Sequence, residues 1–173
     1  PLPANVTLFP KNRVTAIPVQ RGSRSICTVV GRSSDGQQVL HVPSYRIDPT
    51  EDYTVAVGYG AADADALAEG RFDYWALGGT HNRVEIEGGA EAAAVYCGTP
   101  QGRSLSECGA HGYSTVDVDG DRTTRVHTVD CDVFRYCRIE LDAAEIAAVG
   151  GIRNLLGERI ARLQHENGGR HLL

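Results

Sequence analysis

The chain has 173 residues, of which 42% are apolar, and its formal net charge is −5 at pH 7. This length corresponds to about one domain, and the composition is typical of a soluble globular protein. The negative charge excludes a basic module that coats DNA by neutralising its phosphates, and no apolar run approaches the roughly 20 residues of a membrane-spanning helix. Every basic residue except Lys11 is an arginine, the side chain that holds phosphate through two hydrogen bonds. Genomic base composition is the simpler explanation of that bias.

Five cysteines stand at irregular spacings, at positions 27, 97, 108, 131 and 137. No C-x-x-C pair occurs, which argues against a zinc ribbon or a thioredoxin-like motif. We expect reduced, mostly buried cysteines in a cytoplasmic protein. The chain starts without a methionine, which suggests a processed or partial protein.

The first part of the chain contains five strand candidates. Four of them are short: Val6–Phe9, Val14–Val19, Ser25–Val30 and Val39–Val42. Pro18 lacks an amide donor and is expected to break the second of these strands. The fifth, Tyr53–Tyr59, is almost continuously apolar, which predicts a strand covered on both faces.

A helix and a second buried strand follow. Ala61–Glu69 reads as a short helix that Asp63 or Asp65 caps and Gly70 ends. Asp73–Leu77 is the next strand, so the order is strand, helix, strand. If the two strands are parallel, both end at the same edge of the sheet, where ligands collect in open α/β sheets.

His81 stands at the tip of the Asp73–Leu77 strand. Gly78 and Gly79 allow a sharp turn there, and Arg83 follows two residues after His81. A histidine on a tight loop at a strand end suits a metal ligand, and we expect it to lie near Tyr59. The alternative is an ordinary surface histidine on a loop.

The next segment is predicted to form a hairpin and an irregular loop. Arg83–Glu87 and Ala92–Cys97 are paired strand candidates joined by a Gly-Gly turn. The loop 98–104, with two glycines and Pro100, suits neither helix nor strand. The loop either binds a phosphate through backbone amides and Arg103 or forms a tight structural turn. The residues do not separate these alternatives.

Two further strands alternate well around a turn and predict a second hairpin. They are Gly112–Val118 and Thr123–Val129, joined through Asp119-Gly120. The acidic run of this turn lacks the glycine and the glutamate of a calcium-binding loop, so we interpret it as a hairpin turn. An alternating segment, Phe134–Leu141, is predicted to close the β-region.

The C-terminal segment is predicted to be helical. Asp142 and Glu145 form a capping-box pattern, and Gly150-Gly151 divides the segment into two helices. Apolar residues recur at helical spacing in the second of them, namely Ile152, Leu155, Leu156, Ile160 and Leu163. We expect this stripe to pack on a neighbouring domain or on a second copy of the chain in a homodimer.

Three motifs in a fixed order resemble those of a protein family. They are Asp73-Tyr-Trp-Ala-Leu-Gly-Gly-Thr-His81, Val95-Tyr-Cys-Gly-Thr-Pro-Gln-Gly-Arg-Ser104 and Gly109-Ala-His-Gly-Tyr113. The chain resembles the second half of calcineurin-like metallophosphoesterases, and within them the SbcD-like DNA repair exonucleases. Their pattern has a strand ending in Ala-Leu-Gly-His-x-His, a Pro-Gly-Ser-Pro loop and a Lys-Gly-Phe strand. The resemblance covers roughly residues 6–141.

This resemblance implies an α/β (α+β) fold, a two-sheet β-sandwich flanked by helices. Residues 1–141 would be the C-terminal half of that domain, a partial domain, and the helical residues 142–173 would begin a capping region. The family site holds two divalent ions, usually manganese, that activate a water against a phosphodiester. His81 matches the second histidine of the family motif, a ligand of one ion.

The chain departs from the family pattern at the metal positions. Gly79 stands where the family has the first histidine, and Tyr59 stands where an earlier strand ends in a metal-binding histidine. Glycine has no ligand to offer, and a phenol is a poor ligand for a hard divalent ion. The carboxylate motifs precede the matched region. We therefore expect at most one tightly bound ion, such as Mn²⁺.

Two functional classes follow from the resemblance. The first is a metal-dependent phosphoesterase related to DNA exonucleases, acting on DNA or another phosphodiester. The second is a non-catalytic scaffold that keeps the fold and holds a partner, such as the SMC-like coiled-coil ATPase of the family. Arg83, Arg103 and His111 lie near the motifs and are candidates for phosphate or nucleic-acid contacts. The alternative for each is a surface or structural role.

Overall fold

The computed structural model describes residues 2–3, 5–34, 36, 38–86, 93–148, 151–168 and 170–173. Within these residues the protein is mixed α/β, with more strand than helix. The chain divides into two compact units, the first comprising Pro1–Gly98 and Ser114–Val129 and the second Thr99–Tyr113 and Asp130–Leu173. The division at residue 141 that the family resemblance implies stays a prediction.

A six-stranded mixed sheet forms the centre of the first unit, in the order β1-β2-β3-β4-β6-β5. Strands β2, β3, β4 and β6 are parallel, and the outer strands β1 and β5 are antiparallel to their neighbours. The strands are β1 (Thr15–Arg21), β2 (Arg24–Gly31), β3 (Thr54–Tyr59), β4 (Tyr74–Gly78), β5 (Val84–Ile86) and β6 (Ala93–Tyr96).

Helix α1 (Ala64–Glu69) connects β3 to β4, as the strand-helix-strand prediction requires. Of the two predicted caps, Asp63 is the one used, because its carboxylate accepts a hydrogen bond from the Ala66 amide at 3.0 Å. The helix buries Leu67 and ends at Gly70. This connection leaves β3 and β4 parallel and ending at the same edge of the sheet.

The two faces of the sheet are covered differently. On one face, Trp75 is completely buried and packs in a cluster with Tyr45 and Phe72, next to α1. On the other face, the strands β7 (Gly112–Val118) and β8 (Thr124–Asp130) pair as a hairpin, and their residues Val116 and Val126 pack on the sheet. β4 is covered on both faces, whereas the prediction of the same for β3 is only partly correct, because Val57 and Tyr59 on one of its faces are exposed.

The second hairpin turns where the sequence predicts. The Arg122 amide donates to the Asp119 carbonyl at 3.1 Å, and the Asp119 amide donates to Thr123 at 3.3 Å. Arg122 has a φ of 68°, a backbone conformation unusual outside glycine. The Gly-Gly turn predicted between β5 and β6 lies outside the described residues, although these two strands do pair antiparallel.

Four strand predictions are corrected by the structure. Val6–Phe9 has no regular structure, and Val39–Val42 forms one bridge to Ala61 followed by a 3-10 turn, Val42–Ser44. Both runs are too short for their pattern to separate a strand from a loop. Leu40 and Val42 are buried without forming a strand, whereas Val6 and Leu8 are exposed. β1 continues through Pro18, because a strand at the edge of a sheet does not need every amide donor. Only Phe134–Arg135 of the predicted Phe134–Leu141 strand is formed.

The second unit contains α2 (Ala143–Ala148), α3 (Ile152–Glu166) and a two-stranded parallel sheet of β9 (Phe134–Arg135) and β10 (His171–Leu172). The predicted division into two helices is confirmed, with Gly151 at the start of α3. Asp142 caps α2 by accepting from the Ala144 amide at 2.6 Å. Glu145 forms an ion pair with Arg159 at 3.0 Å.

A buried ion pair links β9 to its surroundings in the second unit. The Asp132 carboxylate is fully buried and accepts from Arg135 Nε at 2.7 Å and Nη2 at 2.8 Å. The Arg135 guanidinium also donates to Asn167, at the end of α3, at 2.6 Å, and to Asp130 at 2.9 Å. Arg170 approaches Asp132 at 3.4 Å. One guanidinium thus holds together β9, the end of β8 and the end of α3.

The apolar stripe of α3 is only partly covered. Leu155 is buried, whereas Ile152, Leu156 and Ile160 are exposed. The packing of this stripe on a neighbouring domain or a second subunit stays a prediction. No helix in the described parts of the chain combines the length and the apolar character that crossing a membrane requires.

Candidate functional site

The carboxyl ends of β3 and β4 lie side by side, at the edge where the sequence places the candidate site. The parallel register pairs Tyr59 with Gly78, and the Gly60 amide donates to the Gly78 carbonyl at 2.9 Å. The two strands are therefore parallel, which is the condition under which the sequence places both of their ends at one edge. The Tyr59 side chain is 54% exposed at this edge.

Gly79 approaches the backbone of the neighbouring strand too closely for any other residue. Its φ is 118°, and a Cβ atom there would lie 2.9 Å from the Gly60 nitrogen and 3.2 Å from the Gly60 Cα. Both contacts are with backbone atoms that cannot rotate away. The position that the family resemblance assigns to a metal-binding histidine is thus restricted to glycine by the geometry of this turn.

His81 lies on the exposed turn that follows Gly79. Thr80 stabilises this turn, since its hydroxyl donates to the Asn82 carbonyl at 3.0 Å. Gly98, just after β6, packs against the same turn with a φ of 75°, and a Cβ there would lie 2.7 Å from the His81 carbonyl oxygen. The His81 loop therefore sits on the end of β6 as well as on the end of β4.

Tyr96 fixes the loop after β3, and sequence reasoning missed this residue. Its hydroxyl donates to the Gly60 carbonyl at 2.8 Å and accepts from the Ala62 amide at 2.9 Å. Burial raises the pKa of this phenol, so it stays protonated and keeps donating at neutral pH. The only signal in the sequence was an aromatic residue at the end of a strand.

The Arg83 side chain is hydrogen-bonded within the first unit and does not extend from the edge of the sheet. Its Nη1 donates to the Ser114 hydroxyl at 2.6 Å, and its Nη2 pairs with Glu85. The side chain is 19% exposed. This geometry favours the structural alternative for Arg83, and the phosphate contact stays a prediction.

Arg103 and His111 both belong to the second unit, and Glu107 contacts both. The Arg103 amide donates to the Glu107 carboxylate at 2.9 Å, while the Arg103 side chain is 64% exposed and reaches the same carboxylate at 3.4 Å. The His111 ring is buried, with Nδ1 3.1 Å from Thr99 and Nε2 3.1 Å from the Glu107 carbonyl. Its buried position favours the structural alternative for His111.

The part of the loop 98–104 that belongs to the second unit, from residue 99 on, is held by hydrogen bonds of Gln101. The Gln101 side-chain amide donates to the Phe134 carbonyl at 2.8 Å, and its oxygen accepts from the Val133 amide at 2.9 Å. These bonds hold the loop in a fixed conformation. They favour the structural-turn alternative for the loop, and phosphate binding through Arg103 stays a prediction.

The opposite edge of the sheet carries a second feature that the sequence did not indicate. Asp73, at the start of the central motif, accepts from the Thr54 amide at 2.6 Å and from Arg122 at 2.7 Å. Burial acts to raise the pKa of Asp73, but the hydrogen bonds from Arg122 and Thr54 outweigh it and lower the pKa. A cavity of about 760 Å³ lies beside this carboxylate, lined by Arg46, Arg71 and Phe72 among others.

The chemistry of the candidate edge is limited by its donor set. Among the described residues, no three histidine, cysteine, aspartate or glutamate side chains form a group that would hold a metal ion. Comparisons of the chain with protein-family models, curated proteins and solved structures found no match. The fold and this edge define a mixed α/β protein whose central sheet ends in three adjoining loops.

Proposed function

We propose that the chain is part of a metallophosphoesterase-like protein related to DNA repair exonucleases, with its phosphodiester-binding side at the carboxyl edge of the main sheet. The observation that carries the proposal is the juxtaposition of Tyr59 with Gly78, with the His81 loop resting on Gly98. Loops at the carboxyl ends of parallel strands are where ligands bind in open α/β sheets. The hairpin packed on one face of the sheet supports the two-sheet sandwich of that family.

In this proposal His81 is the chain's ligand to a single divalent ion, such as Mn²⁺. A bound ion of this kind polarises a phosphodiester oxygen and lowers the pKa of a bound water. Gly79 and Tyr59 do not provide the other family ligands, so the described residues do not fit a two-ion site. In this arrangement the chain orients at most one ion and presents the adjoining loops to the substrate.

Calorimetric titration with MnCl2 tests the proposed ligand. We expect at most one ion per chain, bound at least tenfold more weakly by His81→Ala than by the unchanged protein, because the imidazole is the proposed donor. His165→Ala is the matched control, since this histidine is exposed in the last turn of α3. Two tightly bound ions, or equal affinity in both variants, would contradict the assignment.

The second candidate function is a non-catalytic scaffold that retains the fold and binds a partner such as an SMC-like ATPase. The steric restriction at Gly79 favours it, because a histidine cannot be accommodated there without moving the β3 end. A Mn²⁺-dependent nuclease assay on linear duplex DNA separates the two functions. Cleavage that is lost in His81→Ala and kept in His165→Ala supports the phosphoesterase. Absence of cleavage in a protein that binds the ion supports the scaffold.

A further inference from the structure

Two cysteines of the second unit lie at matching positions of neighbouring segments. The Gly109 amide donates to the Tyr136 carbonyl at 3.0 Å, and the amides of Cys131 and Asp132 donate to the His111 carbonyl at 3.0 and 3.2 Å. Residue 109 is thus bonded to residue 136, and residue 111 to residues 131 and 132. The two segments run in opposite directions without forming a regular ladder.

This arrangement places Cys108 opposite Cys137, one step beyond the bond between Gly109 and Tyr136. The bond joins the peptide between residues 108 and 109 to the peptide between residues 136 and 137, so Cys108 and Cys137 each flank it. Disulfides join residues whose Cα atoms are about 4.4–6.8 Å apart, a range that covers facing residues of hydrogen-bonded antiparallel segments. Both thiols are half-buried and neither forms a disulfide, and the Cys108 thiol donates to the Leu105 carbonyl at 3.1 Å.

The electrostatics of Cys137 agree with this proximity. Burial raises the pKa of the Cys137 thiol, and the neighbouring Cys108 raises it further. The raised pKa leaves less of the Cys137 thiol as thiolate, the reactive form, at neutral pH. The expectation of mostly buried cysteines was wrong, since none of the five is fully buried and Cys97 and Cys131 are exposed.

We propose that Cys108 and Cys137 are a reversible redox pair that closes to a disulfide when a hydroperoxide oxidises the protein. In the first step one thiolate attacks the peroxide O–O bond, forming a sulfenic acid and releasing hydroxide. In the second step the other thiolate attacks that sulfur, forming the S–S bond and expelling a second hydroxide. In sum, two thiols and one hydrogen peroxide give one disulfide and two waters.

The bond would close a covalent ring that contains the whole β7–β8 hairpin, since β7 begins after Cys108 and β8 ends before Cys137. Cys137 is also held from its other side, because its amide donates to the Leu173 carbonyl at 3.0 Å. Closing the ring removes conformational freedom from the unfolded chain. The oxidised protein should therefore melt at a higher temperature than the reduced protein.

Peptide mapping of the oxidised protein tests the pair directly. After treatment with hydrogen peroxide and blocking of the remaining thiols, trypsin separates Cys108, in residues 104–122, from Cys137, in residues 136–138. We expect these two peptides joined, about 2 Da lighter than their sum because two hydrogens are lost on disulfide formation. Dithiothreitol should release them.

Cysteine variants distinguish a specific disulfide between Cys108 and Cys137 from general oxidation of the protein. Cys108→Ser and Cys137→Ser should each abolish the linked peptide and the rise in melting temperature, whereas Cys131→Ser, which removes an exposed thiol, should change neither. If Cys108 instead accumulates as sulfinic acid, or pairs with Cys97 or Cys131, the proposal is overturned. Mapping of the unchanged protein decides the question even if a variant folds poorly.

Discussion

The substitution Gly79→Ala tests whether the turn after β4 is restricted to glycine. An L-residue with positive φ costs about 1–2 kcal/mol. The added methyl would lie 2.9 Å from the Gly60 nitrogen, and overpacking of this kind costs about 1–3 kcal/mol. Alanine recovers about 0.4–1 kcal/mol by restricting the unfolded chain. We therefore expect Gly79→Ala to lower the free energy of unfolding by about 1–5 kcal/mol.

The neighbouring Gly78→Ala is the matched control. A Cβ at this position would meet Tyr59 Cδ2 at 3.5 Å, an ordinary van der Waals distance, and its φ is not positive. Alanine is favoured over glycine in a strand by about 0.5–1 kcal/mol, so this variant should be as stable as the unchanged protein or slightly more stable. Both variants replace glycine with alanine, at positions one residue apart.

Urea unfolding followed by fluorescence measures both variants. Trp75 is the single tryptophan and is completely buried, so its emission reports loss of the core around β4. The free energies are compared at equal m-values, which shows that the same surface unfolds. If Gly79→Ala and Gly78→Ala differ by less than about 0.5 kcal/mol, the steric restriction at position 79 is refuted. Position 79 could then accommodate a histidine ligand.

Two further predictions concern Asp132 and Asp63. Asp132→Asn should lower the free energy of unfolding at neutral pH by about 3 kcal/mol in a urea titration, because the buried Arg135 loses a charged partner while keeping Asp130. Hydrogen bonds from Arg135 hold the pKa of Asp132 below its usual range, so its contribution is present above the unfolded pKa and is lost as the pH falls through the folded value. The unchanged protein should therefore lose stability below about pH 4 more steeply than Asp132→Asn, and parallel pH profiles would contradict this. Asp63→Ala should cost about 1 kcal/mol by thermal unfolding, and Asp65→Ala clearly less, because only Asp63 accepts from the helix amide; equal losses would show that the cap is not the cause.

The strands with strong local signals were predicted almost to the residue. Tyr53–Tyr59 and Asp73–Leu77 correspond to Thr54–Tyr59 and Tyr74–Gly78, because dense β-forming residues end there at glycines. Val6–Phe9 was wrong because so short a run, with three apolar residues, does not distinguish a strand from a loop, and Val6 and Leu8 are exposed. The pairing of β9 with the chain end at Leu172 was missed, since it depends on contacts between distant residues.

The candidate site was predictable only as far as the strand order. Parallel β3 and β4 imply that Tyr59 and Gly78 adjoin, and the register confirms this. The enclosure of His111 by Thr99 and Glu107 was not predictable, because it depends on how an irregular loop closes. The metal, the phosphodiester substrate and the partners stay predictions.

The outer strand β1 has a further consequence for how the protein behaves at high concentration. An exposed outer strand invites a strand from another molecule, which needs a regular row of donors and acceptors. Pro18 provides no donor, and the pairing with β2 shifts between Val19 and Gln20. β1 is thus a poor site for pairing with a strand of another molecule, which disfavours aggregation through this edge of the sheet.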